Sequence, residues 1–336
     1  MKGSVTMRSR QRITKAKRLC LPLVLCFGAT LTASLLGATI GFSSVSGPSL
    51  FRVGFSSATF TKVNENDVMA ALKVWLRMLS KERNIPTDLQ PRLLNSLQAI
   101  RESVRGNAVD AVALNTDEYW KIKDTLDKRI CIVGINEGKP TEEYILLTHQ
   151  HSGIRRIADL HNHSLVFFQS PRMSLASAWM DTVFAQGGFG RTVDFCQVTH
   201  VNKLQDAILP LFFRKIDACV VTRRGFKTMN ELNPQISQQL RIIASSPEVV
   251  PSLFAFRQTY NDPLRQEIIA QLEKIISTPA GAQFLILFQA GSLKALPVSC
   301  LDSAFNLLSR HQQFCRQTKM FKTGSVDATP RKRGAK

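Results

Sequence analysis

An apolar run over residues 164–169 ends in Gln169-Ser170-Pro171-Arg172-Met173-Ser174, directly ahead of a helical pattern over 174–187. The N–H groups that open a helix have no partner inside it and carry the positive end of the helix dipole. With Gln169, Ser170, Arg172 and Ser174 beside them, they could hold an anion. The same hydroxyls could equally serve as ordinary helix caps. Ser56, Ser57 and Thr59 follow the apolar run 51–55 and give a comparable polar rim. Asn115, Thr116 and Tyr119 follow the run 109–114, and Arg223 follows the run 216–222. All of these lie at the carboxyl ends of expected strands, where open α/β sheets bind ligands.

Other chemistries find less support. The chain has no GxSxG, no phosphate-binding GxxxxGK[ST] and no HExxH, and no nucleophile stands beside a base. His149-Gln150-His151 and His161-Asn162-His163 have the spacing of a metal half-site on a strand. No acid or cysteine cluster accompanies them, so neither a metal nor a cofactor is expected. Gly187-Gly188-Phe189-Gly190 follows a helix rather than opening one, and reads as a helix stop. Asp110 and Asp217 are not a catalytic pair, because each occupies the same place in one of two similar segments. They are expected to be structural residues at strand starts, and no enzyme activity is expected.

Those two segments organise the chain. A basic residue followed by apolar-Asp-Ala-apolar occurs at Arg105–Leu114 and again at Arg214–Thr222, with the aspartates 107 positions apart. Each is preceded by an apolar run ending in a small polar turn. Strands alternating with helices at this spacing predict two lobes, each a mostly parallel sheet flanked by helices. Helices are expected over 67–83, 93–104, 174–187, 202–213, 261–276 and 280–288, and strands over 142–148, 164–169, 193–199, 216–222, 240–244 and 252–257. The strand at 142–148 is read as the crossing to lobe two, and those at 240–244 and 252–257 as the return crossing. Lobe one then comprises residues 47–145 with 252–310, and lobe two residues 146–251. Two lobes with a cleft between them make a clamp for a small solute.

The net charge of +19 gathers at the ends of the chain. Residues 1–46 hold seven Lys/Arg and no acid, and residues 310–336 hold eight against one Asp. A nucleic-acid binder would instead carry a basic face within its fold, so nucleic acid is not an expected partner. The basic start precedes an uncharged run from Leu19 to Phe42. This is the pattern of an export signal, or of a retained anchor, and it places the body outside the cytoplasm. Residues 311–336 read as a basic, disordered tail. Cys131, Cys196 and Cys219 sit in apolar runs as expected buried thiols, while Cys300 and Cys315 flank the last helical segment and could pair.

The order of motifs also resembles a known family. Phe51–Phe55, Val109–Leu114 with Tyr119 beyond it, Ser152-Gly153-Ile154 before Ile157–Leu160, and Ile216–Val221 resemble the phosphate/phosphite/phosphonate-type solute-binding proteins of ABC transporters, over residues 50–296. The resemblance implies the type II periplasmic-binding fold, an α/β two-lobed clamp. It further implies a small anionic ligand on the lobe-two turn at Arg172–Leu175, with Tyr119 closing over it. The implied partner is a membrane ABC permease, with the clamp itself monomeric. In this turn only Ser174 keeps a hydroxyl, the family's His falls on Leu204 with His200 out of register, and Arg223-Arg224 stand where carboxylates would meet a ligand amine. An anion without an amine suits those charges. The alternative is a module of the same fold that senses a ligand or binds a partner and signals.

Overall fold

The computed structural model describes residues 50–60, 63–261 and 263–324, so the expected export segment and the end of the tail lie outside it. The chain opens with β1 (Val53–Ser56), α1 (Glu65–Glu82), β2 (Arg92–Leu94), α2 (Leu97–Arg105), β3 (Ala111–Asn115), α3 (Thr116–Ile122) and β4 (Ile130–Ile135). It crosses to β5 (Tyr144–His149), β6 (Ser164–Phe168), α4 (Ala176–Gln186), α5 (Thr192–Phe195), β7 (Gln197–Val201), α6 (Leu204–Phe212), β8 (Ala218–Thr222), α7 (Arg223–Leu232), α8 (Gln235–Gln239) and β9 (Leu240–Ser245). It then returns through β10 (Ser252–Phe256), α9 (Arg265–Glu273), α10 (Pro279–Leu287), β11 (Ser292–Pro297) and α11 (Asp302–Gly324).

Two sheets result, in the orders β11-β4-β10-β3-β1-β2 and β7-β6-β8-β5-β9. Within the first, β1 runs parallel to β2 and β3, while the returning β10 is antiparallel to β3 and β4. Within the second, β6 is parallel to β7 and β8, and the arriving β5 is antiparallel to β8 and β9. The crossing strands β10 and β5 thus each run antiparallel to the parallel set they join, and β11 adds a second antiparallel strand at the edge of the first sheet. The expected two-lobed α/β clamp is the observed one. The two crossings meet where Glu142 and Val249 exchange backbone hydrogen bonds of 2.8 and 2.9 Å.

The repeated aspartates explain why each sheet starts where it does. Asp110, just ahead of β3, accepts Arg52 N–H at 2.9 Å, two further bonds from the Arg52 guanidinium and one from Arg257 Nη2 at 3.0 Å. Asp217, just ahead of β8, accepts Ser164 N–H at 2.9 Å and Ser164 Oγ at 2.8 Å. In both lobes a carboxylate at the start of one strand caps the N–H group at the start of its parallel neighbour. Lobe one adds an aromatic cluster, in which Phe55 meets Trp75, Phe254 and Phe284 edge-on and Trp75 stacks on Phe284 at 4.2 Å. As expected, α9 and α10 pack on lobe one, with Ile268, Leu272 and Phe284 in its core. Gly188, at φ +79°, closes α4, which confirms the helix stop.

Four expectations are corrected. Residues 92–94 pair in parallel with β1 and form β2, so the helix expected from 93 begins at Leu97, where Ser96 caps it. Residues 192–195 form the short α5 rather than the start of a strand, because Thr192 N–H is held by Asp181 Oδ1 and the strand edge begins at Gln197. α11 continues to Gly324, so residues 311–324 are helical where a disordered tail was expected, and Ala304, Leu307 and Leu308 enter the lobe-two core rather than lobe one. Finally, the Sγ of Cys300 lies 3.7 Å from that of Cys131, while Cys315 Sγ faces His311 Nε2 one turn away on α11. Cys131, Cys196 and Cys219 are buried as expected.

Candidate functional site

The turn after β6 sends its side chains in two directions. Ser170 is extended, Pro171–Met173 make a single 3-10 turn, and α4 opens at Ala176 after Leu175, a residue that offers no acceptor to the helix. Ser174 does not cap either, since its Oγ donates to Pro251 O at 2.7 Å. The first N–H groups of α4 therefore have no side-chain cap. Beside them lies a cavity of about 190 Å³ lined by Gln169, Ser170, Ser174, Ser177 and His200 over a floor of Phe167 and Phe168. His200 arrives on β7, opposite Phe167 in the parallel register, and its ring lies 5.6 Å from that of Phe167. Hydroxyls, an amide and an imidazole around uncapped helix N–H groups can hold an anion.

Arg172 takes the other direction, into the junction between the lobes. It is only 2 % exposed, and its Nε donates to Glu142 Oε1 at 2.8 Å. Arg224 Nη2 donates to the same oxygen at 2.6 Å. Gly134 on β4 leaves room for this guanidinium, since a Cβ there would lie 3.3 Å from Arg172 Nη1. Two guanidiniums share one carboxylate, leaving a local charge of +1, and Arg172 Nη2 is buried without a hydrogen-bond partner. The space between Arg172 and the lobe-one residues Thr59, Ser252, Phe284 and Phe288 is about 20 Å³, room for a single water.

The lobe-one candidates turn inward. Ser56 Oγ donates to Glu118 Oε1 at 2.7 Å, and Asn115 N–H to Glu118 Oε2 at 2.9 Å. Burial raises the Glu118 carboxyl above its ordinary value, and these two donors only partly offset that. Thr116 donates from its N–H to Pro251 O and from Oγ1 to Val250 O, so Thr116 and Ser174 pin the same crossing strand from opposite lobes. Tyr119 does not close over the turn. It is 1 % exposed, stacks on Phe305 at 6.0 Å and donates to Asp127 O at 2.8 Å, with its phenol pKa raised by burial. Ser57 stays partly exposed at the rim. Arg223 lies apart from the turn, paired with Glu143 at 2.5 Å and lining a different cavity of about 210 Å³. That pairing holds the Glu143 carboxyl below its usual range.

Gln169, Ser170 and Ser174 thus line one cavity that Ser56, Ser57, Asn115, Thr116, Tyr119, Arg172 and Arg223 do not line, although Thr116 shares the acceptor Pro251 O with Ser174. Sequence reading passed over Ser177 and Glu142, placed Arg224 beside the ligand with Arg223 rather than on Glu142, and set His200 aside. Ser177 stands three residues after Ser174 on the first turn of α4, a spacing that signals its place. The two His-x-His motifs are local structure: His149 Nδ1 accepts His151 N–H, and His163 Nδ1 lies 3.2 Å from Asp217. Among the described residues, no three His, Cys, Asp or Glu side chains are grouped to hold a metal.

Residues 58–296 match the family model described as ABC transporter, phosphonate, periplasmic substrate-binding protein. The chain belongs to this family of solute-binding proteins, which are not enzymes and which work outside the cytoplasm with a small ligand and an ABC permease. XAC2383 from Xanthomonas citri, solved bound to chloride ion, is 13 % identical and superposes with a TM-score of 0.56 over 80 % of this chain and 100 % of its own. PhnD1 from Prochlorococcus marinus, solved in complex with methylphosphonate, is 12 % identical with a TM-score of 0.52 over 77 % of this chain and 97 % of its own. These likenesses show the type II periplasmic-binding fold. No curated protein sequence matches the chain.

Proposed function

We propose that the chain binds a small phosphonate-, phosphite- or phosphate-like anion in the cavity at the N-terminus of α4 and delivers it to a membrane ABC permease. The observation that carries this reading is the uncapped start of α4 facing about 190 Å³ lined by Ser170, Ser174, Ser177, Gln169 and His200. The surrounding charges favour an anion that lacks an amine. Glu142 is engaged by Arg172 and Arg224, Glu143 by Arg223, and Glu118 by Ser56 and Asn115, so none of these carboxylates is left for an ammonium group. In this reading the segment before residue 47 is an export signal or anchor, and the clamp acts as a monomer.

Ser170→Ala is expected to raise the Kd for the tightest-binding member of a panel of phosphate, phosphite and methylphosphonate by about 10-fold or more, since a hydrogen bond to a charged ligand contributes about 1.5–3 kcal/mol. Isothermal titration of both proteins measures this, with the thermal midpoint of the empty variant unchanged. Equal affinity would remove the cavity from the binding site.

One observation favours a second reading, in which the clamp binds a partner and signals. Between the lobes, at Arg172, only about 20 Å³ is open. Ser174 and Thr116 tie both lobes to Pro251 there. A clamp pinned in this way presents one fixed outer surface.

A further inference from the structure

Cys131 lies on β4 and is 1 % exposed, while Cys300 lies in the 3-10 turn Val298–Leu301 after β11 and is partly exposed. The antiparallel β4–β11 pairing sets Cys131 opposite Leu296, and Val298 N–H donates to Arg129 O at 3.0 Å, so the backbones on either side are held in register. The two sulfurs lie 3.7 Å apart. A disulfide bond is about 2.05 Å long, so closing the gap needs a movement of under about 2 Å, within reach of side-chain rotation.

We propose that Cys131 and Cys300 form a disulfide in the extracytoplasmic compartment, by exchange with a disulfide-bearing oxidant. The inference rests on the location of the family and on this geometry, and not on the identity of the ligand. The Cys300 thiolate attacks one sulfur of the oxidant, forming a mixed disulfide and expelling one oxidant thiolate. Cys131 then attacks the Cys300 sulfur and expels the second. Two protein thiols are oxidised, one oxidant disulfide is reduced to two thiols, and the two protons pass to the released thiols. The hydrogen bond from the Cys131 thiol lowers the pKa of Cys300, and the same contact, with burial, raises that of Cys131. The more exposed sulfur is therefore the better attacking group.

The bond would span 169 positions of chain and enclose all five strands of the lobe-two sheet. It would also anchor the root of α11, whose Leu307 and Leu308 enter the lobe-two core and whose Phe305 stacks on Tyr119 of lobe one. To test this, the full protein is purified from its export compartment without reductant, denatured, alkylated, digested and analysed by mass spectrometry. A peptide pair linked through Cys131 and Cys300 is expected, with Cys196, Cys219 and Cys315 alkylated. The thermal midpoint should fall by about 4–10 °C on adding reductant, and Cys300→Ser should remove that dependence. If the serine variant does not fold, the reduced wild-type protein is treated with oxidised glutathione, and loss of alkylation at Cys131 and Cys300 alone is expected. Alkylation of both cysteines in the exported protein, or a Cys300–Cys315 link, would overturn the proposal.

Discussion

Glu142→Gln is expected to destabilise the protein by about 3–5 kcal/mol, because it leaves a buried guanidinium without its counter-charge. Glu142 is 4 % exposed and receives Arg172 Nε at 2.8 Å and Arg224 Nη2 at 2.6 Å. Arg224 is 28 % exposed and can turn to water, but Arg172, at 2 %, cannot. The penalty therefore falls mainly on Arg172. The midpoint of urea denaturation measures it, and Glu142→Leu combined with Arg172→Met should recover most of the loss, since apolar groups of similar volume replace buried ion pairs at little cost. A single variant as stable as the wild type would show that the Arg172–Glu142 pair does not hold the lobe junction. The same pair sits beside Glu142–Val249, where the two crossings meet, so this experiment also probes what fixes one lobe against the other.

Asp110→Asn is expected to cost about 3 kcal/mol near neutral pH, because a buried carboxylate there accepts from two arginines and a backbone N–H at once. Burial alone would raise the Asp110 carboxyl, but the bonds from Arg52 and Arg257 outweigh it and hold the folded pKa below the ordinary value. A carboxyl depressed in the folded state contributes stability that is fully present above its unfolded pKa of about 3.9 and is lost as the pH falls through the folded value. The difference between wild type and Asp110→Asn should therefore be constant above about pH 5 and shrink progressively below it. A gap that stays constant down to the acid unfolding limit would contradict the assignment. Asp217→Asn should cost less, because its side chain is 39 % exposed and solvent screens its contacts.

Much of this architecture was legible in the sequence because it depends on local pattern. The repeated apolar-Asp-Ala-apolar segments marked β3 and β8, and the aspartates proved to be strand-start clamps rather than catalytic groups. The strand over residues 92–94 was hidden inside a helical pattern, because only its pairing with β1 makes it a strand. The 3.6-residue spacing of Leu93 with Leu97 and Ile100 carries no trace of that partner. The site was legible at the turn 169–174, where strand end, proline and hydroxyls are adjacent in sequence. It was not legible in the direction each side chain takes. Arg172 and Ser174 are two residues apart, yet one is drawn to Glu142 thirty positions earlier and the other to Pro251 seventy-seven positions later. Tyr119 looked available at a strand end but fills the core, because α3 turns its phenol toward Asp127.

Native mass spectrometry of the protein purified gently from its own compartment, compared before and after denaturation, tests the central claim most directly. The account predicts a single small anion released on denaturation, of mass matching a phosphate, phosphite or phosphonate, and depleted in Ser170→Ala. An empty protein that also shows no thermal shift with phosphate, phosphite or methylphosphonate would contradict it and leave the partner-binding clamp as the reading that stands.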